Sequence, residues 1–173
     1  LYVDANNAYY AKQATYMAAE FERSQIGWFE NPVAADDVGG LVEVRRASHI
    51  PVASGDLESS QYDFRELLSR GAVDIVQVDV GRVGGVTAWQ KVAHLAQAFN
   101  VPITTHGFEQ VSLHLGCATR NLKAVEELKI DRDVDEIWYT EIPGQRSGMA
   151  APFEDRPGLG LELDPYAVER WST

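Results

Sequence analysis

Residues 71–106 read GAVDIVQVDVGRVGGVTAWQKVAHLAQAFNVPITTH. Asp74 to Val80 is a short apolar run, preceded by Gly71. Val86 to Phe99 carries apolar residues at helical spacing, and Val101 to Thr105 is a second apolar run. A strand, a helix and a strand in this order are the signature of a βαβ unit with parallel strands.

The same alternation extends in both directions. Upstream, strands are expected at Leu1 to Asp4, Gly27 to Glu30 and Ile50 to Ser54, with helices at Tyr10 to Ser24, Asp37 to Ala47 and Asp63 to Arg70. Downstream, a helix is expected at Val111 to Ala118 and a short strand at Ala124 to Glu127, which makes six strands. Beyond Leu128 the rhythm breaks into a tail with a loop rich in Gly and Pro, a strand at Leu159 to Leu163 and a short helix ending at Trp171. The fold class is therefore α/β, and a parallel sheet of βα units that curls into a barrel is the expected architecture.

Composition excludes several function classes. With 15 Lys and Arg against 26 Asp and Glu, the formal charge is −11, which repels nucleic acid and anionic lipid surfaces. A carboxylate substrate would be repelled as well, so an enzyme acting on one needs a local positive centre such as a metal ion. Cys117 is the sole cysteine, so no intrachain disulfide forms, and a reducing, cytoplasmic setting is expected. The chain starts at Leu1 directly in a strand pattern, and it is read as a fragment.

The polar residues fall in register. Asp4, Glu30, Asp56, Asp79, His106 and Glu126 each stand at or just after the C-terminal end of an expected strand, at separations of 26, 26, 23, 27 and 20 residues. Each separation is one βα unit, so in a barrel all six point into the mouth where barrel enzymes keep their active sites. Asp4, Glu30 and Asp56 offer only hard oxygen donors, the preference of Mg²⁺. Asp79 and His106 come from neighbouring strands, where a carboxylate can fix the imidazole tautomer and raise its basicity. A metal-dependent hydrolase would call for histidine ligands on the middle strands, where this chain has Asp56 and Asp79.

The runs Val3-Asp4-Ala5-Asn6, Trp28-Phe29-Glu30-Asn31-Pro32, Ser54-Gly55-Asp56, Asp79-Val80-Gly81-Arg82-Val83-Gly84-Gly85 and His106-Gly107-Phe108 resemble the enolase superfamily, in particular the mandelate racemase subgroup of the mandelate racemase and muconate lactonizing enzyme family. The resemblance runs from Leu1 to about Leu163 and implies a (β/α) barrel of that type, present as about six βα units. It implies that Asp4, Glu30 and Asp56 bind Mg²⁺, that His106 is an acid or base oriented by Asp79, and that Glu126 donates a hydrogen bond to the substrate. Asn6, Glu58 and Arg82 match positions of substrate contact. It also implies a small-molecule carboxylate substrate and a symmetric homo-oligomer.

This chain departs from the family pattern at several positions. Asp56 stands where the subgroup usually has Glu, and Asn31 where a second Glu is common; because that second position is not a ligand, the change there is expected to matter little. The family's N-terminal capping domain, its first barrel strands and the Lys-x-Lys motif of the second strand have no counterpart here, and none of Lys12, Lys91, Lys123 or Lys129 takes the place of that motif. Residues 1–173 are thus expected to be the C-terminal part of the barrel domain, with 129–173 as its tail. The expected reaction is Mg²⁺-dependent removal of an α-proton through an enediolate, ending in dehydration of a sugar acid. Racemisation or epimerisation of a hydroxy acid uses the same intermediate, and a non-catalytic fragment is the alternative from another class.

Overall fold

The computed structural model describes residues 1–172. Its core is a six-stranded, wholly parallel sheet of β1 (Val3–Asp4), β2 (Phe29–Glu30), β3 (Val52–Ser54), β4 (Ile75–Asp79), β5 (Ile103–His106) and β6 (Leu122–Ala124), and spatial order follows chain order. Five crossover helices join them: α1 (Ala11–Glu22), α2 (Val38–Ala47), α3 (Gln61–Arg70), α4 (Val86–Ala98) and α5 (Glu109–Cys117). Then come α6 (Lys129–Trp138) and α7 (Pro165–Trp171). Consecutive strands lie side by side, each with its own helix, so the molecule is a partial (β/α) barrel.

Local chemistry sets the ends of α2 and α3. The Asp37 carboxylate accepts from the Gly40 amide at 2.8 Å and opens α2. At the start of α3, the Asp63 carboxylate takes both the Ser60 amide at 2.9 Å and the Ser60 hydroxyl at 2.8 Å. Gly71 closes α3 with φ 62°, a left-handed conformation that favours glycine. Asp74 ties three elements together: its carboxylate accepts from Arg45 Nε at 2.8 Å and from the Val52 amide at 2.9 Å.

Strand residues alternate between two faces. Val76 and Val78 of β4 face the helices and pack with Leu41, Phe64, Leu67, Trp89 and Val92. Ile75 faces the other way, into a smaller cluster with Trp28 and Ala53. By the same alternation Gln77 and Asp79 share the inner face with Ile75, which leaves Asp79 as the last residue of an inward row. Trp89 is fully buried, and its indole N–H donates to the Val78 carbonyl at 3.3 Å, pinning α4 to the sheet.

The structure corrects several boundaries. The last strand pairs at Leu122–Ala124, so Glu126 lies beyond its end. α5 begins at Glu109, two residues before the expected start. The expected strand at Leu159 to Leu163 is reduced to one antiparallel bridge between Leu163 and Tyr139. Helix α6 occupies residues read as irregular; Ile130, Val134 and Ile137 form its apolar stripe but stay exposed, so the helix lies on the outside of the molecule. Among the described residues, no helix is long and apolar enough to cross a membrane.

Glu109 in the first turn of α5 is buried. Burial pushes its carboxyl up from 4.5 to about 7, and the hydrogen bond with Glu127 and the charge of that acid add to the rise. Burial alone would raise Glu127 too, but hydrogen bonds with Glu109, Gln145 and Arg132 outweigh it and hold that carboxyl low.

This packing can be tested at two positions. Trp89→Ala removes the largest fully buried side chain and one hydrogen bond, and should cost about 3–5 kcal/mol in urea unfolding of the chain. For Glu109 the folded-state value lies above the unfolded one, so its contribution is complete below about pH 4.5 and is lost as pH rises through about 7. Glu109→Gln, a mimic of the neutral acid, should therefore raise the thermal midpoint relative to wild type above about pH 7 and leave it unchanged near about pH 4. Equal shifts at both pH values would refute the assignment.

Candidate active site

Parallel register carries the polar residues to one end of the sheet. Asp4 pairs with Glu30 across β1 and β2, and Asp79 pairs with His106 across β4 and β5. The second pairing brings His106 Nδ1 and Asp79 Oδ2 to 2.9 Å. A carboxylate can only accept, so Nδ1 carries a proton, and Nε2 is the nitrogen left to take up or release one. The other oxygen of Asp79 accepts from the amides of Gly81 at 2.7 Å and Arg82 at 2.9 Å. The turn after β4 therefore holds the carboxylate still, and the carboxylate holds the ring. The two residues line a cavity of about 380 Å³ with Phe108, Leu128, Asp131 and Asp135, so α6 forms part of its wall.

Asp56 lies beside the imidazole. Its Oδ2 is 3.9 Å from His106 Nε2 and 3.5 Å from Arg82 Nη1, and Arg82 Nη1 also donates to the Asp56 carbonyl at 3.0 Å. Arg82 Nε is 3.9 Å from Asp79 Oδ2. The guanidinium is thus placed between the two buried acids, one βα unit apart. Its expected role in substrate contact rests on the exposed part of the side chain, which is 44% accessible.

Glu30 and Asp56 are buried, whereas Asp4 is exposed and accepts from the Asn6 amide at 2.7 Å. Burial pushes the Glu30 carboxyl up; polar contact with Gln77 and a 3.0 Å hydrogen bond from Trp28 Nε1 oppose this, while the charges of Asp4 and Asp56 add to it. Among the described residues, no three His, Cys, Asp or Glu side chains are gathered into a ready metal cage. The donor set still fits a hard divalent cation, because it is made entirely of carboxylate oxygens that bear on one another electrostatically.

Glu126 completes the mouth. Burial raises its carboxyl to about 7; the charge of Glu30 adds to this, His106 opposes it, and Asp56 and Asp4 raise it further. Its Oε2 is buried and lacks a hydrogen-bond partner among the described residues, and its amide donates to Thr105 Oγ1 at 2.9 Å. Near neutral pH this acid holds a proton for part of the time and can donate it. Asn6 and Glu58 stand on the loops after β1 and β3; burial lifts the Glu58 carboxyl to about 7, with Asp63 and Asp56 as the leading charges.

Sequence reasoning missed the residues that brace these acids. Asn31, expected from its place outside the ligand set to matter little, is buried and donates to Asp56 Oδ1 at 2.8 Å. Ser54 donates to Asn31 Oδ1 at 2.8 Å. The signal was an amide beside Glu30, in a left-handed turn (φ 40°) that asparagine tolerates well. The remaining histidines lie off this site: His49 and His94 are exposed, and His114 faces the Leu159 carbonyl at 3.4 Å.

Known proteins are similar to this chain in sequence and in fold. The arabinonate dehydratase of Saccharolobus solfataricus is 29% identical over 174 residues, covering 98% of this chain and 46% of that protein. The crystal structure of L-talarate dehydratase from a Polaromonas species, complexed with Mg and L-glucarate, superposes with a TM-score of 0.89 at 30% identity, covering 99% of this chain and 46% of that one. That of a racemase from Streptomyces coelicolor with bound magnesium gives a TM-score of 0.90 at 28% identity, covering 98% and 46%. The chain thus spans less than half the length of these relatives. A family model described as Enolase C-terminal domain-like matches residues 1–167, and the chain belongs to that family.

Proposed function

We propose that this chain carries one half of the reaction centre of an enzyme that removes the α-proton of a carboxylate substrate, and that the substrate is a sugar acid that is dehydrated to a 2-keto-3-deoxy acid. The observation that carries this reading is the 2.9 Å contact of His106 with Asp79, with Nε2 facing the acids of the mouth. In this reading the chain is the C-terminal part of a barrel domain, with residues 129–173 as its tail.

Asp4, Glu30 and Asp56 are the residues that would hold Mg²⁺. Bound there, the cation would offset the charge that grows on the substrate carboxylate as the α-proton leaves. The Glu126 carboxyl, held near neutrality by its surroundings, donates a hydrogen bond to the same developing charge. His106 Nε2 carries the mobile proton. With Asp79 stabilising the imidazolium, the ring protonates the departing β-hydroxyl in a dehydration, or returns a proton to the opposite face in a racemisation. A base supplied from outside this chain takes the α-proton in both cases. Dehydration is favoured by the sugar-acid dehydratases among the relatives; the Streptomyces coelicolor racemase keeps the second outcome in view.

The test is a panel of sugar acids offered, with Mg²⁺, to the full protein that contains this chain, with 2-keto acid and solvent deuterium incorporation both measured. Keto acid is the expected result. Exchange at the α-carbon without keto acid would turn the assignment to a racemase or epimerase, and neither signal would refute the reading. In the active protein, His106→Asn should lower kcat by about 10²- to 10⁴-fold. Glu126→Ala should lower kcat by about 10²-fold or more, and Glu126→Gln, which keeps a donor, by less.

A further inference from the structure

We infer that Asn31 is a positioning residue that works with Ser54 to set the Asp56 carboxylate for cation binding; this rests on the reading of Asp56 as a metal ligand. The three side chains form a buried relay. The Asp56 carboxylate can only accept, so Asn31 Nδ2 donates to Asp56 Oδ1, and Asn31 Oδ1 is left to accept from the Ser54 hydroxyl. Each contact is 2.8 Å, and all three residues are at least 95% buried.

The relay solves a charge problem. Glu30 and Asp56 are both buried at the ends of the paired strands β2 and β3, so like-charge repulsion favours rotamers that swing the acids apart. A neutral amide on Oδ1 holds the Asp56 rotamer and adds no charge that would compete for the cation. Oδ2 is left pointing toward His106 and Arg82, at the mouth. An aspartate has one bond less than a glutamate with which to reach an ion, so its direction matters more, and a fixed carboxylate binds with less loss of side-chain freedom. The position also has a backbone requirement: Asn31 has φ 40°, which glycine, asparagine and aspartate meet readily.

The experiment is calorimetric titration of Mg²⁺ into the full chain and into Asn31→Gly, Ser54→Ala and Asp56→Asn, with thermal melts of each. Glycine suits the left-handed turn, and Ser54→Ala leaves the backbone alone. We expect Asp56→Asn to abolish binding and Asn31→Gly to weaken it by about 10- to 100-fold, with a smaller loss in Ser54→Ala that does not track the melting temperature. If Asp56→Asn abolishes binding while Asn31→Gly and Ser54→Ala bind as wild type, the relay has no positioning role. Should Asn31→Gly fail to fold, wild-type affinity in Ser54→Ala is enough to overturn the relay. Wild-type affinity in Asp56→Asn would instead sink the metal reading itself.

Discussion

In-register pairing of β4 with β5 sets Asp79 directly beside His106, and the rest of the site depends on that pairing. Side-chain direction in a strand reverses at every residue, so a slip of β5 by one position would turn the imidazole toward the helices and leave the carboxylate alone at the mouth. The register is held from the helix side. Val76 and Val78 must be buried with Trp89 and Val92, and the indole of Trp89 is tied to the Val78 carbonyl. Core packing on the helix side thereby positions the strand that carries Asp79.

The mouth concentrates charge that the fold would gain by dispersing. Glu30 and Asp56 are buried, Glu126 and Glu58 are half-buried, and the carboxyls of Glu30, Glu58 and Glu126 are all raised. Burial is the largest cause each time, neighbouring acids add to it, and such an arrangement costs stability unless it is braced. The braces are specific: the indole of Trp28 on Glu30, the amide of Asn31 and, at 3.5 Å, the guanidinium of Arg82 on the Asp56 carboxylate, and two turn amides on Asp79. Acids raised by burial and by one another at the strand ends support the proposed reading of this site.

Where the sequence misled, the cause was tertiary. The helix Lys129–Trp138 carries an apolar stripe at Ile130, Val134 and Ile137, but with Asp and Arg between and no strand after it, the βα rhythm offered no cue. Leu159 to Leu163 alternates as a strand does, yet among the described residues it forms a single isolated bridge, Leu163 with Tyr139, and a lone bridge does not make a strand. Asn31 looked replaceable because it is not a ligand candidate; its contact with Asp56 spans 25 residues of sequence and is invisible until β2 and β3 are placed side by side.

The sequence alone determined the class of fold and the identity of the polar residues at the strand ends, because both follow from periodicity. Apolar runs of strand length alternating with helical patterns specify parallel βα units, and one polar residue per unit at the strand end specifies a common mouth. Tertiary structure decided which of those residues touch, which are buried and which hold a proton near neutrality. Those properties arise from distances across neighbouring strands and from exclusion of water, and neither quantity is encoded in linear spacing.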